Sequence, residues 1–436
     1  MEATQRPLDR GLGLLQVTAG GVGIIIGAGI YVLIGEAAGE AGNALWLSFV
    51  LAAALCAATG FSYAELASMF PSAGAEFDYT RQVFPEWVAF LVGWVMVTGL
   101  IVAAGTVSLG FGRYFGEFID VDERIPAIAL IAGLSLVGAS GIRHSGRIIV
   151  ALSAIQVSGL AAVIAFGIPS IGEVDLLASH GAQGVVGGAA LVFFAFIGFD
   201  EVITLAEETR DPTRTVPRAL LSALGISAAL YAATAVAAVS VLGAGALAAS
   251  DRPLADVVDA AAGGNGATAI AIAALISTTN TTLLALTAAS RLMFGMARSD
   301  ALPRTFAHVT HRTKVPIHSL ITAAVLAAGC ALSGKLGLIA QVTDFAVYLV
   351  FVAVNLTVVV LRWRAPNRER PIRSPLSIRR VPILPLAGLA SVGLLLPALD
   401  ADALAVGSAV CAVGLAAGLL FDAKSPLRRR GSGTRA

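Results

Sequence analysis

The sequence predicts an all-α polytopic membrane protein with twelve transmembrane helices, built as a five-plus-five inverted repeat with two extra helices. Three observations carry that expectation: an apolar load too large for one soluble core, basic residues that alternate from loop to loop, and glycine breaks inside two apolar segments. Of the 436 residues, 57% are hydrophobic and 13% charged, and the mean hydropathy is +0.84. A soluble domain carries about 25% charged residues, and repeated passage through lipid accounts for the difference. The formal net charge of +1 gives no reason to expect a nucleic-acid partner. Cys56, Cys330 and Cys411 lie in apolar runs and form neither a disulfide framework nor a metal motif. The five histidines are equally scattered, so no metal site is expected.

The first apolar run, 13–35, has no cleavable-leader pattern before it and reads as a mature helix. Spans two to five follow at 44–66, 84–112, 125–141 and 148–168, with a break at 71–74. The sixth begins near Val185, the seventh covers 219–243, and a polar acidic loop at 248–264 precedes the eighth at 267–297. The last four are 317–333, 337–361, 382–399 and 403–421. Residues 1–12 then form a cytoplasmic start, 13–168 the first repeat, 185–361 the second, 382–421 the two extra helices and 422–436 a basic tail.

Charge placement fixes the orientation. With both termini cytoplasmic, 25 of the 29 Lys and Arg residues lie inside, including Arg6, Arg10, Arg81, Arg143, Arg210, Arg312, Lys314 and the series from Arg362 to Arg380. Only Arg113, Arg124, Arg252 and Lys335 remain outside, among acidic loops. Alternation of this kind follows the positive-inside rule, and a wrong span count would scramble it. The inner loop 362–380 and the tail residues Arg428, Arg429 and Arg430 are suited to anionic headgroups. Neither needs an obligate protein partner.

Residues 20–39, GGVGIIIGAGIYVLIGEAAG, have the length of a membrane helix, with Gly27, Ala28 and Gly29 in the middle. The sixth span is interrupted in the same way at Gly198, about 170 residues later, with four spans between. Two five-span units in succession have opposite topology, and paired broken helices point to a central site at their interface. Beyond the first break the amides of Gly29, Ile30 and Tyr31 begin an outer half-helix, which favours a carboxylate. Carbonyls near Ile24, Ile25 and Ile26, and near Phe194, Ala195 and Phe196, suit an ammonium. A site with both polarities suits an α-amino acid. Phe196 or Phe199 either closes over its side chain or packs in the core.

GVGIIIGAGIY, FFAFIGFDEVITLAEET and RLMFGMARSDALP resemble the amino acid–polyamine–organocation superfamily of permeases. More closely they resemble its bacterial amino acid permeases related to cationic amino acid transporters. The resemblance runs from Leu12 to about Leu420. It implies that Gly27, Ala28 and Gly29 form an unwound first-helix site with Ile30 at its outer edge, and that Phe196, Ile197, Gly198 and Phe199 form the sixth-helix discontinuity. It places Glu207, Glu208, Arg210 and Pro212 at the cytoplasmic end of that helix, and it implies alternating access. Proton-coupled relatives carry a lysine in the fifth helix where this chain has Gln156, which cannot exchange a proton near neutral pH. Proton, sodium or no coupling ion all remain open, and no other cofactor is expected.

Glu65 reads as a structural acid paired with a cytoplasmic arginine. Asp200, Glu201 and Asp344 are intramembrane or near-membrane acids and stand as gating or coupling candidates. Thr278, Thr279 and Asn280, continued by Thr281 and Thr282, either line a polar path or bond back to their own helix. No phosphate-binding loop, ATPase apparatus or soluble catalytic domain is present, so an enzyme is not expected. The expected function is secondary active amino acid transport across the cell membrane, by symport or exchange. A non-transporting amino acid sensor and a polyamine or organic amine transporter are the alternatives.

Overall fold

The computed structural model describes residues 12–70, 75–140, 146–203, 209–262, 264–299, 301–310, 313 and 315–424. Arg6, Arg10, the break at 71–74, Arg143, Glu207, Glu208, Arg312, Lys314 and the tail arginines lie outside the described residues.

The described chain is almost entirely helical. Helices α1 (Leu14–Ile25) and α2 (Gly29–Ala41) form one apolar segment bent by 45° at its break. There follow α3 (Leu45–Met69), α4 (Ala75–Arg81), α5 (Glu86–Phe115), α6 (Arg124–Ala139) and α7 (Gly146–Gly167). Next come α8 (Gly181–Val192), α9 (Pro212–Ala248), α10 (Pro253–Ala262) and α11 (Gly264–Arg298). The series ends with α12 (Ile317–Leu332), α13 (Leu336–Arg364), α14 (Ile383–Leu395) and α15 (Ala401–Lys424). Eight helical segments are long and apolar enough to cross a membrane, and the bent α1–α2 pair makes a ninth. Three shorter apolar helices, Arg124–Ala139, Ile317–Leu332 and Ile383–Ala398, accompany them. The 16 residues of α6 or α12 reach only about 24 Å, short of a typical hydrocarbon core of about 30 Å. The 30 residues of α5 exceed that core and suit a tilted crossing.

The structure departs from the sequence expectations in four places. The stretch 248–264 holds helix α10, which buries Leu254, Ala255, Val257 and Val258 against α11, α9 and α7. Its acidic Asp256 and Asp259 hid that apolar face. A seven-residue helix, α4, lies between the second and third apolar spans. The loop after α13 contains a two-residue hairpin pairing Ser377–Ile378 with Val381–Pro382, the one exception to an all-α reading among the described residues. Helix α9 starts earlier than expected, with Pro212 in its first turn, yet it is interrupted at Gly243 with φ +73°. That is where the sequence ended the seventh span.

The most extensive helix contacts pair α5 with α11 and α3 with α9. Helix α13 packs on α5, while α14 covers α3 and α13. Large apolar side chains such as Leu15, Leu136, Val325 and Val413 point outward, as expected where lipid replaces water.

The C-terminal part of α3 and the C-terminal end of α13 are tied by a buried charge network. Glu65 accepts from Arg362 Nε at 2.8 Å, Arg362 Nη2 at 2.6 Å, Arg370 Nε at 3.1 Å and the Ser374 amide at 2.9 Å. Both Glu65 and Arg362 side chains are 2% exposed. About two helical turns along, Asn355 bonds Thr59 and Ser62 and extends the same α3–α13 seam. Removing one member of a buried pair strands the other charge, which costs about 3–5 kcal/mol. Glu65→Ala is therefore expected to lower the thermal unfolding midpoint in detergent sharply. Replacing both Glu65 and Arg362 by Met should recover most of the loss.

Candidate functional site

Helix α1 ends at Ile25 because Ile26 leaves the helical conformation with ψ 3°. The Gly27 amide bonds the Ile24 carbonyl at 3.3 Å, and the Ala28 amide turns to Thr281 Oγ1 on α11 at 3.1 Å. Helix α2 then starts at Gly29. Among the described residues no acceptor reaches the N–H groups of Gly29, Ile30 or Tyr31. Three free donors thus sit at a helix start, where the backbone dipole favours an anion. Ile25, Ile26, Ala28 and Ile30 are all buried.

The second break has a different form. Helix α8 ends at Val192 and tightens into a 3₁₀ turn, Phe193–Phe196. Gly198 follows with φ +107°, a conformation that an L side chain rarely adopts. The Ile197 amide bonds the Phe194 carbonyl at 3.1 Å.

The two breaks touch. A Cβ added at Gly29 would lie 2.4 Å from Ala195 Cα, and one at Gly198 would lie 3.2 Å from Ile24 Cγ2. Only glycine at position 29 permits this approach. Tyr231, on α9, stands where they meet. Its hydroxyl lies 2.6 Å from the Ile25 carbonyl and 3.0 Å from the Ala195 carbonyl. A hydroxyl has one hydrogen to donate, so it satisfies one of these carbonyls at a time. Ile25 and Ala195, expected to offer free carbonyls, are thus bridged by a residue that the sequence reading did not single out. Phe194 spends its carbonyl on Ile197.

The rings pack as a cluster. Phe196 meets Tyr231 edge-on at 5.1 Å between centroids, and Phe199 lies 5.4 Å from both Tyr63 and Phe351. Each is fully buried.

The remaining expected residues divide. Gln156 is fully buried on α7, and both of its side-chain polar atoms lack a protein partner. Its backbone carbonyl accepts from Tyr31 Oη at 2.9 Å, and Tyr114 Oη donates to the Tyr31 carbonyl at 2.9 Å. Thr278 bonds back to the Ala274 and Leu275 carbonyls of its own helix. Thr279 and Asn280 are half-buried. The member of that polar run that reaches the first break is Thr281. Asp344, on α13, is fully buried, and neither carboxyl oxygen has a partner among the described residues. Asp200 is buried and its Oδ1 accepts the Gly198 amide at 3.2 Å, while Glu201 next to it is half-buried.

Comparison with known proteins identifies the family. The amino acid permease family matches residues 12–412. An uncharacterized transporter of Mycobacterium tuberculosis is 32% identical over 427 residues, covering 95% of this chain and 93% of the relative. A methylthioribose transporter of Bacillus subtilis is 30% identical over 411 residues, covering 88% and 87%. A branched-chain amino acid permease, BcaP, of Bacillus subtilis is 30% identical over 405 residues, covering 87% and 86%. A match of this extent, on a chain of repeated membrane-crossing helices, identifies it as a multi-pass membrane transporter, not an enzyme, and the chain belongs to the amino acid permease family.

Proposed function

We propose that the chain is a secondary active transporter that moves amino acids across the cell membrane by alternating access, as a symporter or an exchanger. The observation that carries this reading is the contact between two backbone breaks far apart in sequence, with unpaired amides at the start of α2. A substrate carboxylate binds the amides of Gly29, Ile30 and Tyr31, where a helix start favours an anion by about 0.3–2 kcal/mol. The ammonium group takes carbonyls around Ile25, Ile26 and Ala195 that Tyr231 does not occupy. Phe196 and Phe199 flank the side chain, and Thr281 holds the break open at Ala28.

The membrane arrangement in this proposal has twelve spans: the eight long helices, the bent pair and the three shorter apolar helices. Residues 13–168 form one five-helix repeat, 185–361 its inverted counterpart and 382–421 two further helices, with both termini cytoplasmic. Support comes from the packing, because the most extensive contacts, α3 with α9 and α5 with α11, pair the second and third spans of one repeat with those of the other. Inverted repeats related by a pseudo-two-fold axis bring such equivalents together. The exposed arginines of the loop 362–380, Arg364, Arg368, Arg373, Arg379 and Arg380, contact anionic headgroups.

A relative is named as a methylthioribose transporter, which favours a second reading: a neutral thiosugar as substrate. Such a solute has no carboxylate and would use the free amides as neutral donors.

Radiotracer flux into proteoliposomes separates these readings, with L-leucine, L-arginine and methylthioribose as probes. Saturable flux of an amino acid is expected. Saturable binding without flux would favour a sensor, and flux of methylthioribose alone would favour the second reading. Gly29→Ala forces a Cβ against the Ala195 backbone, an overlap worth about 1–3 kcal/mol, and is expected to reduce flux roughly 5- to 100-fold. Gly133→Ala on α6 is the control, since a Cβ there meets no atom within 4 Å. Its flux should stay within about twofold of the parent protein.

A further inference from the structure

A second buried cluster lies beyond the break, toward the inner ends of the helices, and joins elements distant in sequence. Glu76 sits on α4, outside the membrane-crossing segments, yet it is buried. Tyr63 Oη on α3 donates to Glu76 Oε1 at 3.0 Å. Asp200, just past Gly198, uses Oδ1 to accept the Gly198 amide at 3.2 Å. The carboxyl groups of Glu76 and Asp200 are neighbours in this cluster, and both side chains are buried. Two ionised carboxylates have only acceptors and repel when buried side by side, which favours one proton held between them.

Among the described residues the titratable neighbours offer no cation to replace that proton. They are Tyr63 and Cys56 on α3, Tyr79 and Asp78 on α4, and Glu201 beside Asp200. Helices α5 and α13 pack on α4, but the bases near its end are engaged elsewhere. Arg81 pairs with Glu86 at 3.2 Å, and Arg364 Nη1 donates to the Val83 carbonyl at 3.0 Å.

We propose that Glu76 and Asp200 form the proton-binding site of the transport cycle, a carboxylic acid–carboxylate pair whose one shared proton holds α4 against the broken sixth segment and whose release opens the cytoplasmic end. This inference rests on the transporter reading above and names its coupling ion. It accounts for a fifth-helix position occupied by Gln156, which cannot carry a proton. Burial, then the charge of Asp200, pushes the Glu76 carboxyl up to about 8 from an ordinary 4.5. Opening returns it to water and toward the ordinary value, so the proton leaves on the cytoplasmic side at neutral pH. The closed contact holds fully below the ordinary value, weakens as pH rises above it, and is lost as pH passes about 8. With the proton gone, two adjacent carboxylates repel in a poorly screened setting.

The test uses the full-length protein in proteoliposomes with labelled L-leucine and L-arginine. Two modes are compared: counterflow without a pH gradient, and uptake driven by an inside-alkaline gradient. For one proton per substrate, a gradient of about 1 pH unit supports about tenfold accumulation. The parent protein is expected to accumulate substrate, while Glu76→Gln keeps counterflow and loses the gradient response. Absent counterflow for the parent protein refutes transport itself. Counterflow with no gradient response in the parent, or a full response retained in Glu76→Gln, overturns the proton site and leaves transport standing. If Glu76→Gln loses counterflow as well, Tyr63→Phe decides. Removing a donor to Glu76 favours the neutral acid, so the pH midpoint of transport should move upward, and an unchanged midpoint overturns the proposal.

Discussion

A backbone N–H or C=O inside an apolar layer must find a partner, and this constraint organises the molecule. Ordinary helices satisfy it internally. The two broken segments do not, and each break survives only because its neighbours supply what the helix gave up. Thr281 takes the Ala28 amide and Tyr231 serves the carbonyls of Ile25 and Ala195. These partners come from α11 and α9, so the breaks are fixed by helices distant in sequence. What stays unpaired among the described residues, the amides at the start of α2, is where the proposed substrate carboxylate binds. The missing Cβ of Gly29 is what lets both breaks meet.

The same logic governs charge. Glu65 is buried with Arg362 and Arg370, and its four donors leave it no unmet demand. Glu76 and Asp200 are buried with each other and lack a cation, so a proton takes its place. Asp344 has neither. Among these acids, the first reads as structure and the second as a switch. Their contrast comes from the partners each finds, since all are buried carboxylates.

Much of the architecture was legible in the sequence. Glycine at 27, 29 and 198 marked both breaks, and Gly243 fell where a span was expected to end. Glu65 was expected to pair with an inner arginine, and it does. The partners were harder to read. Tyr231 is one aromatic residue in an apolar helix, and its bridging role depends on a fold that brings α9 onto both breaks. Thr281 was visible only as part of a polar run whose helical phase no spacing fixed. Helix α10 was hidden because its acidic face dominated a short amphipathic period. Glu76 was obscured by a local sequence that reads as a solvated helix, AEFDYTR, while its burial is a tertiary effect of α3 and Asp200.

The central claim is that the start of α2 is built for a carboxylate. Equilibrium binding to the purified protein tests it most directly, comparing the amino acid it transports with the α-amide and the decarboxylated amine of that same compound. The account predicts that both analogues bind at least about tenfold more weakly, because the amides of Gly29, Ile30 and Tyr31 lose a charged acceptor. Equal binding of all three would contradict it.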